Sequence, residues 1–264
     1  MWLIANALAM IALPLVALLA IRGARAPRWR LFALGAASFV GSQCVHLPLL
    51  LLWPALTRWG ALPAFGPSAN AIVLGLLAAA CEEPARLVVA RFATRERGRD
   101  AALALGAGHG GIEALIRGAL ALLGAIGVIA TRGASTAELV AQGVAPEAAA
   151  SVARDVALAL AMPWYQAIGG ALEGGLTIPF QIACSLLVMA AVRRGRAWPF
   201  ALALAAHATV EAAVGLLVEL DHHGWVLALE LAALYAPFTV LAFVWARRAE
   251  PTHQDVGKPA NSTL

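Results

Sequence analysis

Apolar residues run through this chain in stretches of about 20, the length needed to cross a bilayer as a helix. Polar clusters separate the stretches at regular intervals. The pattern predicts seven spanning helices, at roughly 2–21, 31–53, 69–91, 101–130, 163–192, 197–219 and 224–246. The fourth and fifth are long enough to tilt or to extend past the bilayer. The first has no basic residue ahead of its apolar run and its arginines follow it, so it reads as a span and not as a cleavable signal peptide. Residues 131–162 form one long loop. In it Ser135-Thr136-Ala137-Glu138 fits a capping box, and Pro146 suits the first turn of a further short helix. These would be either interfacial helices or a plain connector. Residues 249–264 are polar, contain two prolines, and read as a disordered cytoplasmic tail. The expected organisation is all-α: a polytopic helical bundle over residues 1–248, followed by the tail.

Composition narrows the class. Hydrophobic residues make up 61% of the chain, against roughly 45–50% in a soluble domain. Charged residues contribute only 13% and mean hydropathy is +0.79. A soluble enzyme, a disordered chain and a secreted disulfide scaffold are excluded. Lipid-facing strands would alternate and give a weaker apolar signal, which leaves a helical membrane protein. The net charge of +4 does not imply a nucleic-acid partner, because the basic residues sit in short clusters between apolar runs. Cys44, Cys81 and Cys184 all lie inside apolar runs without CxxC spacing, so neither a disulfide framework nor a thiolate metal site is expected.

The basic clusters fix an orientation. Fourteen Lys and Arg residues follow spans one, three, five and seven; only Arg58, Arg132 and Arg154 lie in the other connections. By the positive-inside rule the N-terminus and the 131–162 loop are external and the C-terminus is cytoplasmic, as in a bacterial inner (plasma) membrane. All eight tryptophans fall at or near span ends, where an aromatic belt belongs.

Ionisable residues inside hydrocarbon are costly and mark function. Here they include Glu82, Glu83, Arg86, His109, Glu113, Arg117, Glu173, His207, Glu211 and Glu230, with His46 a further candidate. Counting from the span ends at 1.5 Å per residue puts Glu82, Glu83, His109 and His207 about 12–15 Å from the cytoplasmic surface. Glu230 lies near the opposite surface and reads as snorkelling or structural. Arg86 stands at i+4 from Glu82 and i+3 from Glu83, so it neutralises one carboxylate and leaves the other for chemistry or metal. Pro84 removes a helical hydrogen bond beside them. His109 with Glu113, and His207 with Glu211, are i,i+4 pairs suited to binding metal or orienting water.

These residues resemble the superfamily of CAAX prenyl proteases and bacteriocin-processing enzymes, which are intramembrane proteases. The carrying motifs are Glu82-Glu83-x-x-Arg86, a histidine on the next span, and His207-x-x-x-Glu211. GAGHGGIEA at 106–114, WYQAIGGALE at 164–173 and SLLV at 185–188 narrow the likeness to the YhfC-type intramembrane metalloproteases. The resemblance implies an endopeptidase with its site sunk in the membrane, acting on a membrane-protein or peptide substrate. By position, Glu82 or Glu83 would activate water and Arg86 would hold the glutamate pair. His109 and His207 would bind metal or stabilise the oxyanion, with Glu82, His109 and His207 as ligands for zinc or another divalent ion. Glu113, Gln181 and Glu211 would support them. Two positions differ from the pattern: Gln181 stands where a histidine is expected after Phe180, and Gly174 where a basic residue usually follows the glutamate matched by Glu173.

Hydrolysis at such a site could run with metal or with glutamate as base and histidine orienting the water. Two other classes compete. A non-catalytic scaffold or pseudoprotease would keep the polar site to bind a partner helix, and Gln181 favours it. An ion-coupled transporter would also bury Glu and His, but the chain shows no inverted repeat.

Overall fold

Caps and prolines set the helix limits. The computed structural model describes residues 1–24, 29–167, 169–220 and 224–248, and among these the chain is helical without strands. Helix α1 is Trp2–Ala24, α2 Trp29–Arg58 and α3 Pro67–Val88, extended by a π-helical turn at Val89–Ala93. Helix α4 is Arg99–Ala130. The short α5 (Thr136–Ala141) and α6 (Pro146–Ala161) follow, then α7 (Trp164–Ala167), α8 (Gly169–Arg194), α9 (Trp198–Glu219) and α10 (Gly224–Arg248). Pro67 opens α3 in the first turn, where its missing N–H costs nothing. Gly195, at φ 61°, ends α8, and the Arg196 amide donates to the Ala191 carbonyl at 3.2 Å in a Schellman closure. That tight stop returns the chain directly into α9.

Each predicted span corresponds to a long helix, the fifth being written as α7 and α8 around Ile168, which lies outside the described residues. Among the described residues five helices, α2, α4, α8, α9 and α10, are long and apolar enough to cross a membrane. Helix α1 contributes a shorter apolar segment, Trp2–Ala17, and α3 carries Glu82, Glu83 and Arg86. Helix α3 runs on through Pro84 and widens into the π turn beyond it. The tail expected at 249–264 and the basic residues Arg25, Arg28 and Lys258 lie outside the described residues.

Helix α8 is the axis of the bundle. Of its most apolar stretch 78% is buried, against 11–22% for the other four. Helices α4, α9, α10 and α1 pack around it, α2 lies on α4, and α3 lies on α9. Glycine makes the closest crossings possible. A Cβ on Gly108 would fall 1.9 Å from the Phe32 carbonyl oxygen, and one on Gly35 would fall 1.9 Å from that of Leu105. The two glycines face each other's helix and let α2 and α4 meet backbone to backbone.

The basic connections gather at one end of the bundle. Arg30 donates to the Ala93 carbonyl at 3.2 Å, joining the start of α2 to the end of the π turn. Arg97, Arg99, Arg193 and Trp245 line one depression there, and the Arg194 guanidinium lies 4.7 Å from the Trp245 ring centre. At the other end Trp2 meets Trp164, and Trp53 Nε1 donates to Asn70 Oδ1 at 3.0 Å. The capping box in the long loop forms: the Glu138 amide donates to Ser135 Oγ at 3.2 Å and the Ser135 amide to Glu138 Oε2 at 2.7 Å. These bonds from the Ser135 amide and hydroxyl hold the Glu138 carboxyl below its ordinary pKa. Pro146 opens α6 as expected.

Candidate metal and catalytic site

Four helices deliver the buried polar residues to one level. Helix α3 carries Glu82, Glu83 and Arg86, α4 carries His109 and Glu113, α8 carries Gln181 and α9 carries His207. All seven side chains are buried. The two adjacent carboxylates on α3 point to different partners, as consecutive helical positions must. Glu83 Oε1 accepts from Arg86 Nη1 at 2.6 Å and from His207 Nδ1 at 2.7 Å. Glu82 Oε2 lies 3.1 Å from His109 Nε2 and 3.7 Å from His207 Nε2, and Glu82 Oε1 accepts from Gln43 Nε2 at 3.3 Å. Arg86 thus pairs with the i+3 glutamate, and Glu82 is the one left facing the two imidazoles.

Gln181 ties the site together. Arg86 Nη2 donates to Gln181 Oε1, and Gln181 Nε2 donates to Glu113 Oε2 at 2.7 Å. The amide uses its acceptor on a cation and its donor on a carboxylate, a pairing a neutral imidazole at this position would make with different geometry. Beyond Glu113 the chain of contacts continues to Arg117, which approaches Glu113 Oε1 at 3.5 Å and donates to Glu173. Glu211 is half-buried one turn along α9 from His207 and makes no hydrogen bond among the described residues. Glu230, also half-buried, lies on α10.

Aromatic rings close the walls. Phe39 meets His109 edge-on at 5.3 Å, and Phe180 meets His207 in the same way at 5.8 Å, with Tyr235 and Phe238 behind it. Helix α2 adds polar residues that the sequence pattern did not single out. Ser38 Oγ lies 2.8 Å from His109 Nδ1, and Gln43 reaches Glu82. The signal was present: Ser38, Ser42 and His46 recur every four residues through an apolar span. Serine on such a face is also ordinary helix-packing material, so it does not stand out as ionisable residues do.

Among the described residues one group of side chains has the spacing of a metal site. Glu82, His109 and Glu113 each offer one ligand atom, all within 4.8 Å of one another, and all three are buried. Two carboxylates and one imidazole balance a divalent charge, and three protein ligands leave a position free for a substrate or water, as catalytic zinc sites do. The residues present therefore fit a divalent ion. His207, expected among the ligands, bonds Glu83 through Nδ1 and turns Nε2 toward Glu82 at 3.7 Å, while Glu113, expected in support, stands at ligand spacing from Glu82 and His109.

The helical bundle thus encloses a buried carboxylate–imidazole cluster with the spacing of a membrane-embedded metal site. Residues 9–235 match the family described as YhfC intramembrane metalloprotease, and the chain belongs to that family. No curated protein and no solved structure matches it.

Proposed function

We propose that this protein is a zinc-dependent endopeptidase of the bacterial inner membrane that cleaves a membrane-protein or peptide substrate within the cytoplasmic half of the bilayer. The observation that carries the reading is the convergence of Glu82, His109 and Glu113 ligand atoms inside the bundle. Those three residues would hold the ion, whose contribution when bound is Lewis-acid polarisation of the scissile carbonyl and the attacking water. Glu82 takes the proton of that water. His207, its Nδ1 fixed by Glu83, presents Nε2 at 3.7 Å from Glu82 Oε2 and carries the proton to the leaving amine. Arg86 and Gln181 keep Glu83 and Glu113 in place.

The test uses native membranes. Stripping metal with a zinc chelator should remove a set of cleaved membrane-protein termini detected by mass spectrometry, and added zinc should restore them. If instead no termini depend on metal and a partner helix co-purifies with or without chelator, the protein is a scaffold, the reading that Gln181 favours.

The orientation completes the proposal: seven crossings, N-terminus outside, C-terminus in the cytoplasm. It is supported by the gathering of arginines at one end of the bundle. A fluorescent reporter at residue 264 should light up and a phosphatase reporter there should stay inactive. The reverse pattern would place the site in the outer half.

A further inference from the structure

Ser38 sits in no motif, yet its single hydroxyl proton decides the chemistry of the site histidine. Its Oγ lies 2.7 Å from the Gly35 carbonyl oxygen, a back-bond within α2, and 2.8 Å from His109 Nδ1. The carbonyl oxygen can only accept, so the hydroxyl must donate to it. Having one proton, the hydroxyl can then only accept from the ring, and Nδ1 must carry the hydrogen. We infer that Ser38 is a positioning residue that holds His109 as the Nδ1–H tautomer and so turns a bare Nε2 lone pair toward Glu82 and Glu113. The inference deepens the metalloprotease reading and rests on it for its consequence, though not for the tautomer itself.

The fold builds this contact deliberately into the closest crossing of the bundle. A Cβ on Gly35, one turn before Ser38, would lie 1.9 Å from the Leu105 carbonyl oxygen and 3.0 Å from the His109 amide nitrogen. Glycine at 35 therefore lets α2 approach α4 closely enough for a side chain as short as serine to reach the ring. Phe39 closes the ring's flank edge-on, and Ser38 and His109 are both buried, so water does not compete for Nδ1. With Nδ1–H committed, Nε2 lies 3.1 Å from a carboxylate oxygen that also carries lone pairs. Two acceptors at that separation need a proton or a metal ion between them, and a bare Nε2 is the form of the ring that can ligate a metal. The hydrogen bond made by the second ring nitrogen generally selects which nitrogen binds metal, and removing such a partner costs about 10–100-fold in affinity.

The tautomer is directly observable. Purified full-length protein, labelled with ¹⁵N-histidine, stripped of metal and held at about pH 9, where an ordinary imidazole is neutral, is compared with His109→Gln to identify the His109 signals. Nδ1 should give the protonated, pyrrole-type resonance and Nε2 the pyridine-type one. Ser38→Ala should lose that preference and bind zinc about 10–100-fold more weakly in a chelator competition, while Ser38→Thr, which keeps the hydroxyl, should retain both. Wild-type protein showing Nε2–H overturns the inference by itself, whether or not Ser38→Ala folds. So does Ser38→Ala with wild-type tautomer and affinity. A wild type that has the Nδ1–H form, loses it in Ser38→Ala and yet binds no zinc would uphold Ser38 and sink the metalloprotease reading separately.

Discussion

Replacing Glu82 with glutamine is expected to abolish cleavage in native membranes while leaving the protein folded and present at its normal level. Glutamine keeps the volume and can still meet Gln43 and the imidazoles, but it cannot take a proton. Loss of general-base assistance alone lowers a rate by about 10²–10⁴. Since Glu82 is also one of the three closely spaced ligand donors, the same change should reduce zinc content. The two readouts separate the roles. A variant that keeps zinc but is inactive makes Glu82 the base alone; one that loses both makes it a ligand as well. Full cleavage by Glu82→Gln would remove the proposed mechanism, and attention would pass to Glu83. The Glu83→Gln variant should be impaired differently, because Glu83 acts through His207 and Arg86: its zinc content should stay near that of the wild type.

Much of this was legible in the sequence, and the reason is the solvent. In hydrocarbon every ionisable group is conspicuous, so Glu82, Glu83, Arg86, His109 and His207 could be picked out and set at one depth by counting along helices. Depth is one coordinate, however, and rotation about each helix is another. Counting did not reveal that Arg86 pairs with Glu83 and leaves Glu82 to the imidazoles, since both spacings were permitted. It did not place Glu113 at ligand spacing from Glu82 and His109 either. That spacing depends on how α3 and α4 are rotated about their axes, which depth alone does not give. Gln181 was noticed only as a missing imidazole; its role as the bridge between Arg86 and Glu113 depends on α8 being the central helix. Ser38 escaped notice because a hydroxyl in a spanning helix satisfies itself on its own backbone, and only the glycine-mediated approach of α2 to α4 gives it a second partner.

Arg86→Ala is expected to have the largest effect on stability. Arg86 is fully buried, donates to Glu83 Oε1 at 2.6 Å and also holds Gln181. Deleting it strands the Glu83 carboxylate with His207 alone, and Glu83 Oε2 already has no hydrogen-bond partner. Removing one partner of a buried ion pair typically costs about 3–5 kcal/mol. For a chain of this size that corresponds to a fall in Tm on the order of 10 °C. Lysine should rescue only part of the loss, because a single ammonium cannot reproduce a planar fork that reaches Glu83 with one nitrogen and Gln181 with the other. The double change Glu83→Gln with Arg86→Met removes both charges together. It should recover much of the Tm, because the penalty lies in the unpaired charge and not in the lost attraction. Thermal unfolding of the detergent-purified variants decides the matter. An Arg86→Ala protein that melts within a degree or two of wild type would mean that Glu83 is not held as a charged partner, and the division of labour between the two glutamates would have to be redrawn.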